Sequence, residues 1–166
     1  IALGCRAEIL SLWLIKSPLL TVFIYNMLVI IKEHAMSYGL TLLIVAFGGA
    51  VGAITRFQIT NWFNGWFGNS FPYATLTVNV VGCFIMGLLV AALNTGTLIS
   101  PHWRPLIAVG FLGALTTFST FSFDTLALFT QGFWLRAAMN VILNLVLCMI
   151  AVAAGYALLS RGSMPG

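Results

Sequence analysis

Long apolar stretches with almost no charge are the feature that most constrains this chain. Four of them lie at about 38–57, 74–93, 106–129 and 135–159, and each is close to the roughly 20 residues that a membrane-spanning helix needs. Only 6% of the residues are charged and 61% are hydrophobic, whereas a soluble domain carries about 25% charged residues. Since lipid is the solvent that tolerates this much apolar surface, the sequence predicts an all-α integral membrane protein with four transmembrane helices.

The segments between these stretches predict the loops. Residues 58–73 are rich in Asn, Gly, Trp and Phe, which is typical of an interfacial loop with an aromatic belt. Residues 95–105 hold two prolines together with His102 and Arg104, and Gln131-Gly132 indicates a short third loop. The net charge of +4 is explained by Lys and Arg at helix ends. The sequence contains no basic run that could bind along a phosphate backbone, so we expect no nucleic-acid partner.

An earlier apolar stretch differs from the other four because Lys16 and Pro18 interrupt it and make it a poor span. A Lys-Glu pair, which can be encoded as the ribosome-binding sequence AAG GAG, comes shortly before Met36. We therefore expect residues 1–35 to be an N-terminal extension outside the native protein and residues 36–166 to be the functional four-helix domain. The competing interpretation is a genuine extra helix or an uncleaved signal-like segment.

Arginines flank the four core helices without favouring one side of the membrane. We expect Arg56 and Arg136 on one side, and Arg104 and Arg161 on the other. The positive-inside rule then gives no preferred orientation. Copies inserted both ways can pair about a two-fold axis in the membrane plane, so we expect an antiparallel, dual-topology homodimer. The alternative is that the region around Met36, or the lipid, selects one orientation.

The third stretch carries the densest set of polar residues. Five hydroxyl residues surround two phenylalanines there, in the run Thr116, Thr117, Phe118, Ser119, Thr120, Phe121 and Ser122. Gly, Ser and Thr all disfavour a helix interior, so the run predicts that the third helix is broken at mid-membrane. Carbonyls freed by a break would be hard oxygen ligands for a small hard cation. The alternative is a continuous helix whose hydroxyls bond back to carbonyls one turn earlier.

Polar residues in the other stretches allow two interpretations each. Asn79 is the polar centre of the second core helix, where an interhelical hydrogen bond is simpler than a role in a pore. Asn140, Asn144 and Cys148 form an i, i+4 stripe that could line a pore or pack two helices. Arg56 either snorkels to the interface or attracts anions to a pore mouth. Amides, hydroxyls and a guanidinium are hydrogen-bond donors, so these residues favour an anion as the ligand. No cofactor motif or nucleophile–base set is visible in the sequence, so catalysis is not expected.

These motifs together resemble the Fluc (CrcB) family of fluoride channels. The matching residues are Gly48, Gly49, Gly52, Arg56 and Phe57, then Asn79, Gly82, Phe84 and Gly87, then the run 110–122, then Asn140 and Asn144. The resemblance extends from about Ser37 to the C-terminus. Its TTFSTF run is highly specific, whereas Gly48 and Gly52 by themselves predict only close helix packing.

The resemblance implies a homodimer of the cell inner membrane with two fluoride pathways, through which toxic fluoride leaves the cytoplasm by passive permeation. It also implies a structural Na⁺ that is not transported and that is held at the dimer centre by the backbone carbonyls of Gly113 and Thr116. Asn79 would face the permeating ion, and Phe118 and Phe121 would form an aromatic box. The other residues expected in the pathway are Ser119, Thr120, Asn140, Asn144 and Arg56.

Three alternatives compete with a channel. A small multidrug-type exporter is also short, four-helical and dual-topology, but it depends on a Glu in its first helix, and the first core helix here has no acid. A structural membrane subunit explains the glycines but not the hydroxyl–Phe run. A membrane enzyme could use only Asp124 and His102 for proton chemistry, and we expect a structural or interfacial role for Asp124 and a surface position for His102.

Overall fold

The computed structural model describes the backbone of residues 18–95 and 103–160 and the side chains of residues 37–94 and 103–160. Within these ranges every regular element is a helix. The elements are α1 (Pro18–Phe67), α2 (Tyr73–Thr95), the π-helical α3 (Pro105–Leu112), α4 (Gly113–Leu115), α5 (Phe118–Thr130) and α6 (Trp134–Ser160). The predicted all-α class is confirmed.

Four segments of the described chain are long and apolar enough to cross a membrane. They are Ser37–Phe67, Tyr73–Asn94, Pro105–Thr130 and Trp134–Ser160, and they contain the four predicted stretches. The third span consists of α3, α4 and α5 in succession. Many large apolar side chains on these spans are exposed, such as Leu43 and Leu135, and lipid is the solvent in which such exposure is not costly. The predicted four-helix, multi-pass membrane architecture is confirmed.

The chain divides into two compact units, residues 1–42 and residues 43–166. The structure describes residues 18–42 of the first unit, and they are helical. Residues 1–17 lie outside the described part. Whether residues 1–35 belong to the native protein therefore stays a prediction. The sites discussed below all lie in the second unit.

The loop predicted for residues 58–73 is wrong over most of its length, because α1 continues as a helix to Phe67. Phe63 and Phe67 lie one turn apart with ring centroids at 5.6 Å, a spacing at which aromatic pairs stabilise a helix. The helix ends at Gly68, whose φ of +65° belongs to the left-handed region that glycine adopts readily. Arg56 therefore lies about three turns before the end of α1 and not at its end, as the sequence had suggested.

The predicted third loop is confirmed as a tight turn. The N–H of Gln131 donates to the Ala127 carbonyl at 3.1 Å, and Gly132, with φ of +81°, provides the left-handed residue that ends α5. The two ends of the predicted second loop, Thr95 and Pro105, are helical, and between them only Trp103 and Arg104 are described. The position expected for His102 lies outside the described residues.

One hydrogen bond holds two of the turns at the same end of the four-helix unit. Arg136 Nη1 donates to the Ser70 carbonyl oxygen at 3.2 Å, and the Arg136 guanidinium lies 4.8 Å from the centroid of the Phe133 ring. The turn after α1 and the turn after α5 thus face the same side, as expected for the first and third connections of a four-span bundle.

Glycines allow α1 to pack directly on α3. A Cβ atom at Gly52 would overlap the Phe111 carbonyl, and one at Gly48 would overlap the Leu106 carbonyl. Backbone carbonyls within a helix cannot move aside, so these positions accept only glycine at this helix separation. The predicted role of Gly48 and Gly52 in helix packing is confirmed.

Helices α2 and α6 approach each other in the same way. A Cβ at Gly87 would overlap the Val152 carbonyl, and a Cβ at Gly155 would overlap the Phe84 carbonyl. Each helix thus supplies a glycine opposite the backbone of the other, which brings their polar residues within hydrogen-bonding distance.

Candidate functional site

The third span is interrupted at Thr116 and Thr117. Thr116 has ψ of 152°, and Thr117 has φ of −152° and ψ of 115°, so both adopt extended conformations between α4 and α5. The predicted break is confirmed, and it falls within the hydroxyl-rich run. The structure describes an extended pair of residues at membrane depth, where each backbone group needs a partner inside the protein.

Thr117 is the N-cap of α5. Its Oγ1 accepts a hydrogen bond from the Thr120 N–H at 3.2 Å and donates to Thr120 Oγ1 at 3.0 Å. Ser119 Oγ lies 3.2 Å from the same hydroxyl. Threonine is a favoured N-cap because its side chain satisfies an N–H at the start of the helix. The clustered hydroxyls thus help to end one helix and begin the next.

Asn79 of α2 supplies the partners that the interrupted backbone lacks. Its Oδ1 accepts from the Thr117 N–H at 2.8 Å, and its Nδ2 donates to the Thr117 carbonyl at 3.2 Å and to Asn144 Oδ1 at 3.0 Å. Asn79 is only 9% exposed. The interhelical hydrogen bond expected for Asn79 is confirmed, but the sequence did not indicate that a main-chain segment would be one of its partners.

The polar stripe of α6 continues the network. Asn144 Nδ2 donates to the carbonyl and to Oδ1 of Asn140, each at 3.0 Å, and Asn140 Nδ2 donates to Thr125 Oγ1 at 2.9 Å. Asn140 is 0% exposed and lies behind Asn144. Among the described residues, no buried side-chain nitrogen or oxygen lacks a hydrogen-bond partner. The network therefore joins α2, α5 and α6 at the level of the break.

The break also withdraws helical donors from two carbonyls. In a continuous helix the Thr117 N–H would bond to the Gly113 carbonyl and the Thr120 N–H to the Thr116 carbonyl. Both N–H groups instead donate to side chains, namely Asn79 and Thr117. Gly113 is exposed and Thr116 is half-buried. The described residues include no cluster of three or more His, Cys, Asp or Glu, and carbonyl oxygens are the kind of ligand that hard cations prefer.

Two cavities lie on either side of Thr117. The first, called here the amide cavity, has a volume of about 260 Å³ and is lined by Asn79, Cys83, Thr116, Thr117, Phe118, Phe121, Asn144, Leu145, Cys148 and Met149. The second, called here the arginine cavity, has a volume of about 410 Å³ and is lined by Ala53, Arg56, Phe57, Thr60, Thr75, Val78, Thr117 and Thr120. Thr117 lines both cavities, so the broken segment separates them.

Phe118 and Phe121 form a tilted aromatic pair at the amide cavity. Their ring centroids are 5.4 Å apart and the rings are inclined by 53°. Phe118 is 75% exposed, whereas Phe121 is 8% exposed. The edge of an aromatic ring carries the positive end of its quadrupole. The two residues of the expected aromatic box are therefore brought together, one inside the protein and one on the surface of the isolated chain.

Arg56 and Asp124 lie near hydroxyl groups at the other side of the break. Arg56 is half-buried and lines the arginine cavity with Thr60 and Thr75. Thr75 Oγ1 donates to Asp124 Oδ2 at 2.7 Å, and Asp124 lines an adjoining cavity of about 400 Å³ that also includes Thr60, Thr75 and Thr120. The structural role expected for Asp124 takes the form of a hydrogen bond between α5 and α2.

Two site residues, Thr60 and Thr75, were not predicted from the sequence, and neither was the presence of Cys83 and Cys148 at one cavity. A single threonine in an apolar helix is common and attracts no attention. The one available signal for Thr75 was its position one turn before Asn79, which places both on the same face of α2.

The fold and these cavities define a class: a multi-pass helical membrane protein with donor-lined cavities around a broken helix. Residues 43–156 match the family described as CrcB-like protein, Camphor Resistance (CrcB). The chain belongs to this family, and the resemblance drawn from its motifs is confirmed.

Several relatives are similar to this chain over most of its length. The chain is 50% identical over 117 residues to the fluoride-specific ion channel FluC of Vibrio parahaemolyticus, which covers 70% of this chain and 92% of the relative. It is 53% identical over 117 residues to FluC of Shewanella oneidensis, covering 70% and 94%. It is 48% identical over 122 residues to FluC of Methylococcus capsulatus, covering 74% and 54%. These similarities do not favour the small multidrug-type exporter.

Proposed function

We propose that this chain is a fluoride-selective ion channel through which fluoride crosses the membrane passively. The observation that carries the proposal is the amide cavity, where hydrogen-bond donors and the Phe118–Phe121 pair meet at the broken helix. The names of relatives that share about half of the aligned residues support the same substrate.

A small anion loses strong hydration when it enters a protein, so its path must offer hydrogen-bond donors in place of water. The donors of Asn79 are engaged within the chain, and the bond to the Thr117 carbonyl, at 3.2 Å, is longer than the bond to Asn144, at 3.0 Å. Exchanging the longer bond for a bond to fluoride costs the network least. The hydroxyls of Ser119 and Thr120 bond to Thr117 Oγ1 and so lie close to this position.

Charge around the break favours an anion. The Arg56 guanidinium contributes positive potential to the arginine cavity, and a positive group in a low-dielectric cleft raises the local concentration of anions. The nearby acid, Asp124, is bonded to the Thr75 hydroxyl and lines the adjoining cavity, not the arginine cavity. Arg56 is thus the group that recruits fluoride, and the donors beside Thr117 receive it.

The working assembly in this proposal is an antiparallel, dual-topology homodimer in the cell inner membrane. It contains a structural Na⁺ on the Gly113 and Thr116 carbonyls, which fit such an ion because their helical donors are engaged elsewhere. Hard cations take several oxygen ligands, so two carbonyls from one chain are too few. A second copy about a two-fold axis doubles the set, and the exposed surface at Gly113 is where that copy would contact the first. The ion, when bound, supplies positive charge that holds the two breaks together.

Ion efflux from liposomes tests the function. The full chain is reconstituted with internal fluoride and chloride, and both anions are followed with electrodes side by side. We expect fast release of fluoride while chloride is retained. No fluoride release from correctly folded protein, or equal release of both anions, would contradict the proposal.

The dimer and its ion are tested separately. Replacing Na⁺ by a large organic cation throughout purification is expected to shift the protein from dimer to monomer, as measured by sedimentation in detergent. A matched sample returned to Na⁺ controls for irreversible damage. A dimer equally stable without Na⁺ would rule out the carbonyl site, and a monomer in both conditions would rule out the dimer.

A further inference from the structure

Two cysteines face each other at the middle of the membrane spans. Helices α2 and α6 run parallel in a constant register: Asn79 bonds to Asn144, 65 positions later, and Gly87 meets Val152 with the same offset. The same offset pairs Cys83 with Cys148. The register, set by the glycine contact at one end and the amide bond at the other, holds the two thiols together.

The shared register of α2 and α6 brings both thiols to the same cavity. Both are free and partly accessible, and both line the amide cavity. The thioether residue Met149 lines the same cavity. The structure therefore brings two thiols and a thioether to one open cavity, although no metal-binding spacing exists in the sequence.

The composition of this group selects its ligand. Thiolate and thioether sulfurs prefer soft metal ions. The described residues offer no third His, Cys, Asp or Glu here, which disfavours the four ligands of a tetrahedral zinc site. The two thiols can instead bind a soft metal ion that takes two sulfur ligands in a nearly linear geometry. Charge decides between such ions, because a divalent ion with two thiolates is neutral, and a neutral complex costs least at membrane depth.

We propose that Cys83 and Cys148 form a dithiol site for a soft divalent cation of the mercury(II) type. Binding forms two metal–sulfur bonds, and each thiol releases its proton to water, so charge and atoms balance. The bound ion lies beside Asn79 and Phe118 in the amide cavity. In so far as that cavity conducts fluoride, which rests on the proposed function, the ion obstructs it.

Metal binding is tested without any transport assay. The full chain carrying Cys5→Ser, in which Cys83 and Cys148 are the remaining cysteines, is treated with mercuric chloride, washed with a monothiol and weighed by intact-mass spectrometry. We expect one mercury per chain. Because two ligands retain an ion more tightly than one by an effective-concentration factor of about a hundred or more, Cys83→Ser or Cys148→Ser in this background should lose the metal on washing. Retention by either single-cysteine variant, or no retention by the parent, would overturn the site.

Fluoride efflux then tests the obstruction. We expect mercuric chloride to slow fluoride release from liposomes of the Cys5→Ser chain by about tenfold, a loss equivalent to about 1.4 kcal/mol in the barrier. A dithiol should restore it, and the chain lacking all three cysteines should be insensitive. Unchanged efflux from protein shown by mass to hold mercury would overturn the obstruction. Absence of efflux before any mercury is added would instead count against the proposed function, and the mass measurement would still decide the site.

Discussion

Two membrane spans of this chain carry polar residues at similar depth and accommodate them in opposite ways. Helix α6 remains continuous through Asn140 and Asn144, whose side chains bond to each other and to neighbouring helices. In the third span the Thr117 N–H and the Thr116 carbonyl instead lose their helical partners, while the Thr116 N–H still donates to the Leu112 carbonyl at 3.0 Å. There Asn79, from a different helix, takes the place of the missing main-chain partners.

The arrangement of polar residues along each span explains the difference. In α6 they recur every fourth position, so they share one face and a single network satisfies all of them. In the third span five hydroxyl residues occupy almost consecutive positions, so they point in all directions. Hydroxyls next to the backbone also compete for its hydrogen bonds and favour caps over helix interiors. Spacing, more than polarity, determines whether a span stays helical.

The largest expected effect comes from separating α2 and α6. The amide network of α6 and the broken third span both include hydrogen bonds of Asn79, which such a separation would disrupt. In Gly87→Val, the new side chain would overlap the Val152 carbonyl. We expect a loss of about 3 kcal/mol of stability, the upper part of the usual range for overpacking. The measurement is unfolding in a detergent titration followed by circular dichroism. Gly65→Val is the matched control, since nothing lies within 4 Å of a Cβ at that glycine. Equal stability of the two variants would contradict the packing argument.

A smaller effect, confined to the broken span, is expected for Asn79→Ala. The Thr117 N–H and carbonyl lose their side-chain partners at a buried position, which costs about 2 kcal/mol. We expect faster hydrogen exchange at the Thr117 amide and slower fluoride efflux, with the Asn140–Asn144 contact of α6 retained.

The control for this variant is Asn94→Ala, an exposed asparagine near the end of the same helix. It should leave exchange and efflux unchanged. If Asn79→Ala exchanged at the wild-type rate, the backbone of the break would not depend on Asn79, and the contrast between the two spans would fail.

The smallest expected effect distinguishes the roles of Phe118 and Phe121, the two aromatic residues at the break. Phe118 is 75% exposed and Phe121 is 8% exposed. In Phe118→Ile we expect efflux to slow about fivefold, because an aromatic contact contributes about 1 kcal/mol. We expect little loss of stability, because Phe118 is exposed. Phe121→Ile should lower stability as well, since it changes a buried side chain. Stability and efflux are measured on the same preparations. Unchanged efflux in Phe118→Ile, or equal stability losses in both variants, would contradict this division.

Much of the fold followed from local properties of the sequence. Length and hydropathy indicated the four spans, and poor helix propensity indicated the break, because both depend on residues close together in the chain. The end of α1 was misjudged for a related reason. Asn, Gly and Trp in residues 58–67 suggested a loop, whereas contacts such as Phe63 with Phe67 keep the segment helical. Arg56 was accordingly expected at a helix end, and it lies within α1 beside a cavity.

The candidate site was predictable as a set of residues but not as a geometry. Of the eight predicted pathway residues, four line the amide cavity, namely Asn79, Asn144, Phe118 and Phe121. Arg56 and Thr120 line the arginine cavity instead, and Ser119 and Asn140 line neither. The sequence did not indicate that Asn79 would bond to the main chain of Thr117, nor that Asn140 would be fully buried.

By itself, the sequence determined that this chain belongs in a membrane, where its spans lie, that the third one breaks, and which family it resembles. Composition, span length and short-range propensity are enough for these, because each is decided within about one helix length. The tertiary structure alone decided which groups satisfy the break and which thiols meet. Those pairs join residues such as Asn79 and Asn144, 65 positions apart, and their contact depends on how closely glycine allows two helices to approach.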